Sequence, residues 1–342
     1  MIKTVNLADL GWTAEFLRQM ELDEIETTRP ARVTAVHRSR IDTLTAEGPL
    51  SLMPASDLST AAVAVGDWVL ARDAVALRVL DRRTLLQRKA AGTTVARQLI
   101  AANVDTALIV SSCNSDFNVS RLERYLVLCA NAEIEPVVVL TKADTCPDPE
   151  PYLAQARLMQ RGLAVVALNA RDGAVRADLS DWCRKGHTVV LLGSSGVGKT
   201  TLSNGLTGGD AAVQDIREDD AKGRHTTTGR YLVAMTDGGW LIDTPGVREL
   251  QLTDVAEGID RMFDDLAETA LNCRFTDCRH DSEPGCAVQA AIVAGDLDPE
   301  RLRRWQKLLR EDRFNSQTIH QAHQRNRSFG RMVRKVQDKR KL

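Results

Sequence analysis

Three groups of residues in this chain have the types and spacing to do chemistry. The first is Gly193-Ser194-Ser195-Gly196-Val197-Gly198-Lys199-Thr200, which fits the pattern G-x-x-x-x-G-K-[ST] and runs on into Thr201. In such a loop the glycines let consecutive backbone N–H groups turn inward around phosphates. Lys199 supplies a point charge, Thr200 a hydroxyl for Mg²⁺, and the following helix a favourable N-terminal dipole. The run Thr188–Leu192 before it reads as a strand and Thr201–Leu206 after it as a helix, which is the context a phosphate loop needs. The pattern implies a bound nucleoside triphosphate.

The second group decides the base and the reaction. Thr141-Lys142-Ala143-Asp144 closes a predicted strand, Pro136–Leu140, and is similar to a guanine-reading [NT]-K-x-D motif. A carboxylate at Asp144 can accept from the N1–H and the amino group of guanine; adenine has no such donor pair. Lys142 would lay its stem along the base. Asn169 and Ala170, after the predicted strand Leu163–Leu168, fit a loop whose backbone meets the guanine oxygen. Asp243-Thr-Pro-Gly246 follows Trp240–Ile242 and matches D-x-x-G, with Asp243 on the Mg²⁺ shell and the Gly246 N–H toward the γ-phosphate. Gly223-Arg-His-Thr-Thr-Thr-Gly229 lies where a second Mg²⁺-binding threonine is expected; Thr227 and Thr228 are the candidates, and Thr226 stays open.

The order is unusual, because the guanine motif precedes the phosphate loop and the switches follow it. A GTPase sheet can keep its form with relocated chain ends, since domain termini usually lie close together at the surface. The residue after Gly246 is Val247, which cannot orient a water molecule as glutamine does there. Intrinsic hydrolysis is therefore expected to be slow. His225 is the in-chain candidate for aligning the water, and with Lys199 it completes the predicted catalytic set.

The third group is Cys273-x4-Cys278-x-His280-x5-Cys286. Three thiolates and an imidazole satisfy tetrahedral zinc and leave no open position, as in a structural site. The intervening residues are polar, so metal would replace a packed core. Cys113, Cys129, Cys146 and Cys183 fall on separate elements and read as core or incidental thiols.

Elements of three kinds must position these groups. The chain has 342 residues, 43% hydrophobic and 27% charged, enough for two or three domains and too apolar for disorder. It shows no run long enough to span a membrane and no secretory signal, so no membrane partner and a cytoplasmic location are expected. Residues 1–90 read as an acidic helical lead-in, with Leu10, Phe16, Met20 and Leu22 as its apolar positions, followed by a small barrel of short alternating strands. Such a barrel is OB-like and suits RNA. Residues 91–252 alternate buried strands with helices, the pattern of a mainly parallel sheet. One of these helices is expected to open on a capping box, Ser120 to Glu123. Residues 253–342 read as a helical zinc domain ending in a basic tail. From Arg301 onward the chain has 14 Lys or Arg against 3 Asp or Glu, so a net charge of +11 follows a body of −12. Basic residues around Trp305 suit phosphate contact and base stacking.

Taken together, the permuted motif order, Gly-Arg-His-Thr-Thr-Thr, Asp-Thr-Pro-Gly-Val-Arg-Glu and the cysteine–histidine cluster closely resemble the ribosome small subunit-dependent GTPase A family over nearly the whole length. The resemblance implies an α/β fold: a circularly permuted P-loop GTPase domain between an OB-like β-barrel and an α-helical zinc domain. It implies GTP and GDP as ligands, one structural Zn²⁺, and Mg²⁺ with GTP. It further implies a monomer that binds the 30S subunit and its 16S rRNA, slow hydrolysis stimulated by that subunit, and a role in late 30S maturation. Two other readings of the residues compete: a GTP-regulated RNA-binding scaffold with incidental hydrolysis, and a P-loop ATPase or kinase in which Asp144 is coincidental. A permuted GTPase acting on the large subunit is a nearer alternative, not expected to carry the zinc cluster.

Overall fold

A computed structural model of the chain describes residues 6–89, 97–209, 230–244 and 252–316. The chain divides into two units, one of Met1–Gln87 with Leu99–Glu249, the other of Arg88–Gln98 with Leu250–Leu342.

The first unit opens on short helical turns, Leu7–Leu10, Ala14–Leu17 and Leu22–Thr27. Of the four apolar positions expected to anchor this lead-in, Leu10 and Phe16 are fully buried, whereas Leu22 is 84% exposed. Trp12 and Phe16 pack against Trp68, with Trp12 edge-on at 4.8 Å. Five strands then close into a barrel: β1 Arg29–Val36, β2 Ile41–Thr45, β3 Gly48–Pro54, β4 Trp68–Arg72 and β5 Val75–Val79, in the order β1-β2-β3-β5-β4. Antiparallel pairing of β1 with β4 closes it, and β3 meets β5 in parallel. Its interior is built from the alternate residues that period-two patterning requires, among them Ala31, Val33, Ile41, Leu52 and Val69. A turn at residues 65–66 stands ahead of β4. Gly66 has φ +90°, and a Cβ there would lie 2.2 Å from the Ala102 carbonyl oxygen, so no larger residue fits.

After a two-stranded ribbon, β6 Leu85–Lys89 and β7 Arg97–Ala102, come six further strands: β8 Thr106–Ser112, β9 Glu135–Thr141, β10 Ala164–Ala167, β11 Thr188–Leu192, β12 Tyr231–Ala234 and β13 Trp240–Asp243. They form one sheet in the order β10-β9-β8-β11-β13-β12, parallel except for β12. Every residue of β8 and β11 is buried, the burial on both faces that a parallel sheet demands. Edge strand β12 was not expected from the sequence; only two of its four residues are buried. The helix Val119–Asn131 buries Leu122, Tyr125, Leu126 and Cys129 on one face, as its spacing requires. Its cap differs from expectation. Asn118, two residues before Ser120, is the N-cap, and its Oδ1 accepts the N–H of Arg121 at 2.9 Å. Asn supplies that oxygen as well as Ser does, so the first good cap in the chain starts the helix.

The barrel and the sheet meet through a buried guanidinium. Arg32, on β1, is 1% exposed. It donates to the Leu10 carbonyl and, at 2.5 Å, to Thr188 Oγ1 at the start of β11. Burial lowers its pKa to about 10, with Asp105 nearby pulling the other way. Trp240, on β13, donates its indole N–H to the Asp9 carbonyl at 2.7 Å.

The second unit is helical among its described residues from 252 onward: Ala256–Met262, Asp264–Ala270, Ala287–Ala294 and 299–316. Phe263, Leu266, Val288, Leu302, Trp305 and Leu308 are among its buried apolar side chains. Among the described residues no helix is long and apolar enough to cross a membrane.

Candidate functional site

Four of the predicted segments converge at the carboxyl ends of the parallel strands, where open α/β sheets place their ligands. β11 ends at Leu192 and turns at once through Gly193–Gly198 into the helix Lys199–Thr207. Gly193 has φ +144°, and a Cβ there would sit 2.3 Å from the Val110 carbonyl oxygen on β8. Only glycine lets the loop leave the sheet at this height. Lys199 Nζ donates to the Gly193 carbonyl at 2.7 Å and to the Ser194 carbonyl, which sets the ammonium across the mouth of the loop. Val197 is buried beneath it, while Ser195, Gly196 and Thr200 face solvent.

The guanine motif is bonded to that loop. Thr141 ends β9 and is fully buried; its hydroxyl lies 2.6 Å from the Val197 carbonyl and 3.0 Å from that of Ser111. A threonine hydroxyl therefore does the tethering that an asparagine amide could do in its place. Lys142 takes a left-handed backbone conformation, φ 58°, which swings the chain outward and presents Asp144 on an exposed turn, Ala143–Thr145. The Ala143 N–H donates to the Leu168 carbonyl at the end of β10, so Asn169 and Ala170 lie beside the motif. Asn169 Oδ1 accepts the Arg171 N–H at 3.0 Å and holds that loop in shape. On the other side of β11, β13 delivers Asp243 to the same edge, and the next residue, Thr244, donates its buried hydroxyl to the Leu191 carbonyl at 3.2 Å.

The structure thus brings together Thr141–Asp144, Asn169, Ala170, Gly193–Thr201 and Asp243. His225, Thr226, Thr227, Thr228, Gly246 and Val247 lie outside the described residues. Sequence reading missed Val110, whose carbonyl crowds Gly193, and Ser111, whose carbonyl meets the Thr141 hydroxyl; the only signal was that β8 would have to lie between the guanine and phosphate strands.

The cysteine–histidine cluster forms a second centre. All four donor atoms lie within 4.8 Å of one another. His280 Nδ1 is 3.6 Å from Cys273 Sγ and 3.5 Å from Cys286 Sγ, and the two sulfurs are 3.9 Å apart. Bonds of ~2.0–2.3 Å in a tetrahedron put donors ~3.3–3.8 Å apart, so the set fits one zinc ion. The loop around it is held by polar contacts. The Glu283 carboxylate accepts the N–H groups of Arg279, Asp281 and Ser282, and Gln289 Nε2 donates to the His280 carbonyl at 2.6 Å. The imidazole stacks on Trp305, centroids 5.4 Å apart.

That contact corrects the reading of Trp305. It is 5% exposed, donates to Asp260, and supports the cluster, so it offers no face to a base. Arg301 is likewise structural, paired with Asp265 at 2.7 Å and laid over Phe263. All seven cysteines are free of disulfides. Burial pushes the Cys129 and Cys183 thiols up to about 12 and Cys113 up to about 11, which makes them inert core groups.

Comparison with known proteins agrees with the nucleotide centre. The family model described as RsgA GTPase matches residues 79–253. The small ribosomal subunit biogenesis GTPase RsgA of Mesorhizobium japonicum is 51% identical over 319 residues, covering 91% of each chain. The small ribosomal subunit biogenesis GTPase RsgA 2 of Vibrio parahaemolyticus is 48% identical over 100% of this chain and 96% of its own. In fold, the crystal structure of YjeQ from Thermotoga maritima superposes with a TM-score of 0.65 at 24% identity, covering 83% of this chain and 98% of that one. YloQ, described as a circularly permuted GTPase, superposes at 0.60 with 23% identity, covering 83% of this chain and 94% of its own.

Proposed function

This chain belongs to the RsgA GTPase family, and from that premise we propose that it is a GTP-hydrolysing factor for biogenesis of the small ribosomal subunit. It is a GTPase, a hydrolase acting on the γ-phosphate of GTP. The observation that carries the nucleotide reading is the Thr141 hydroxyl on the Val197 carbonyl, which ties base recognition to the phosphate loop across a permuted sheet. Asp144 and Lys142 select guanine, with backbone from Asn169 and Ala170 beside it. The amides of Gly193–Thr201 and the Lys199 ammonium hold the phosphates, and the Gly246 N–H meets the γ-phosphate. The Thr200 hydroxyl, the Asp243 carboxylate and a hydroxyl of Thr227 or Thr228 would hold Mg²⁺, which supplies charge neutralisation on the phosphates. Val247 cannot align the attacking water, so His225 takes that task, and it is completed only on the partner. Zn²⁺ held by Cys273, Cys278, His280 and Cys286 supplies structure and no chemistry.

The partner is the 30S subunit with its 16S rRNA. Two features support this: the names of relatives near half identity over almost the whole chain, and the net +11 of residues 301–342, which suits a phosphate backbone. The OB-like barrel adds a second RNA surface. The protein works as a monomer in the cytoplasm, where seven cysteines without a disulfide are stable. The test is GTP turnover by purified protein with and without 30S subunits, with 50S subunits and ATP as controls. Stimulation by 30S alone, with no ATP turnover, is expected. Turnover that 30S leaves unchanged would favour the competing scaffold, in which GTP is bound and hydrolysis is incidental.

A further inference from the structure

A cleft of about 360 Å³ opens beside the zinc cluster, with Asp260, Glu268, Leu271, Phe275, His280 and Trp305 among its walls. It stands at the small end of the ~300–1,000 Å³ range of ligand pockets, with room for a side chain and its flanking backbone. Leu271 is 85% exposed and Phe275 42%, two large apolar side chains left to solvent at one place. Such pairs mark interaction sites more often than chance exposure does. The polar groups at the cleft are acidic. Trp305 Nε1 donates to Asp260 Oδ1 at 3.3 Å, and Asp260 is exposed, so its carboxylate can meet a cation from solvent. Glu268 adds a second carboxylate, and no Lys or Arg lines the cleft among the described residues. The neighbouring Arg274 lays its guanidinium over the Phe275 ring, 5.5 Å from the centroid, a cation–π geometry that an incoming cation can share or replace. Residues 252–300 carry twelve Asp or Glu against three Lys or Arg; Asp265, Glu300 and Asp298 pair with Arg301, Arg303 and Arg304, so the attraction for a cation is local to the cleft's own Asp260 and Glu268.

We propose that this cleft docks an arginine- or lysine-bearing segment of a partner protein. The cationic side chain enters past Phe275 and ends between the Asp260 and Glu268 carboxylates. Arginine suits it better than lysine, because a guanidinium can stack on the ring and pair with carboxylates at once. The site is separate from the nucleotide centre and does not rest on the small-subunit reading.

The experiment is fluorescence anisotropy with a fluorescein-labelled peptide of alternating glycine and arginine, titrated with the full-length, zinc-loaded protein. Against wild type, the double variant Asp260→Asn/Glu268→Gln should bind about tenfold more weakly or worse, from the loss of charge-assisted hydrogen bonds. The amide oxygen that replaces the Asp260 carboxylate can still accept the Trp305 N–H, and zinc content checks that the cluster is intact. Asp57→Asn/Asp73→Asn removes the same charge from exposed positions of the barrel and should stay within about twofold of wild type. A citrulline version of the peptide should not bind. Equal weakening by both double variants would reduce the effect to diffuse charge and overturn the proposal. So would tighter binding of an oligouridylate that depends on Asp260 and Glu268. Peptide binding that emerges only when residues 317–342 are deleted would make the chain's own tail the occupant and overturn the partner.

Discussion

The nucleotide edge and the zinc loop are both ligand-binding, yet they are held in opposite ways. At the nucleotide edge the framework is its own core. β8 and β11 are buried at every position, the Thr141 hydroxyl ties the loop's Val197 carbonyl to β9, and Gly193 sits close against the Val110 carbonyl of β8. In the zinc loop, of residues 271–286 only His280 and Cys286 are buried. No apolar packing of its own can hold such a segment, so the donor set and the polar contacts of Glu283 and Gln289 must do so. The difference teaches where each site is fragile: one to loss of a hydrogen bond beneath it, the other to loss of its ion.

The largest expected effect is therefore metal removal. Chelation, or Cys278→Ala, should abolish the ordered zinc loop, since structural zinc contributes ~10–16 kcal/mol of folding free energy in small domains. Helical circular dichroism should fall, while binding of a fluorescent guanine nucleotide should stay within about twofold. A parallel loss of nucleotide binding would break the comparison.

Next comes Arg32→Met. It removes a buried cation whose partners include the Leu10 carbonyl and Thr188 Oγ1, and leaves those acceptors unpaired. A cost of about 2–4 kcal/mol is expected, read as a lower melting temperature. Thr141→Val sharpens the same side of the comparison. The Val197 and Ser111 carbonyls lose their donor, and about 1–3 kcal/mol corresponds to roughly tenfold weaker guanine-nucleotide binding. Thr141→Ser should restore it; failure of the serine variant would mean that the methyl packing, not the hydroxyl, holds the loop.

The smallest effect is on the barrel's lead-in. The Arg78 hydrogen bond holds the Glu24 carboxyl at about 2, below its usual 4.5. The pair thus contributes stability that is present above about pH 4.5 and is lost as pH falls through about 2. Glu24→Gln should lose no more than about 1 kcal/mol at neutral pH, and denaturant midpoints of the two proteins should converge near pH 2.

Much of this was legible in the residues, and unevenly so. The strand Thr188–Leu192 is found where its pattern places it, and the helix expected over Thr201–Leu206 runs Lys199–Thr207, because an apolar run next to a glycine-rich loop leaves little freedom. The phosphate loop and the cysteine–histidine set were readable because their chemistry fixes residue type at fixed spacing. What escaped depends on contacts far apart in the chain. The N-cap at Asn118 competed with an equally good pattern two residues on. Trp305 looked like a base platform because its basic neighbours are local, whereas its partners, His280 and Asp260, are 25 and 45 residues away. Strand β12 pairs only with β13, antiparallel at the sheet's edge, and only two of its four residues are buried, so it lacks the unbroken buried run that marks the inner strands.

The most direct test of the contrast is hydrogen–deuterium exchange of the full chain, zinc-loaded and after chelation, read by peptide. Protection should collapse across residues 271–294 on removing zinc and remain unchanged in β8, β11 and the loop Gly193–Gly198. Loss of protection in β11, or persistent protection of 271–294 without metal, would contradict it.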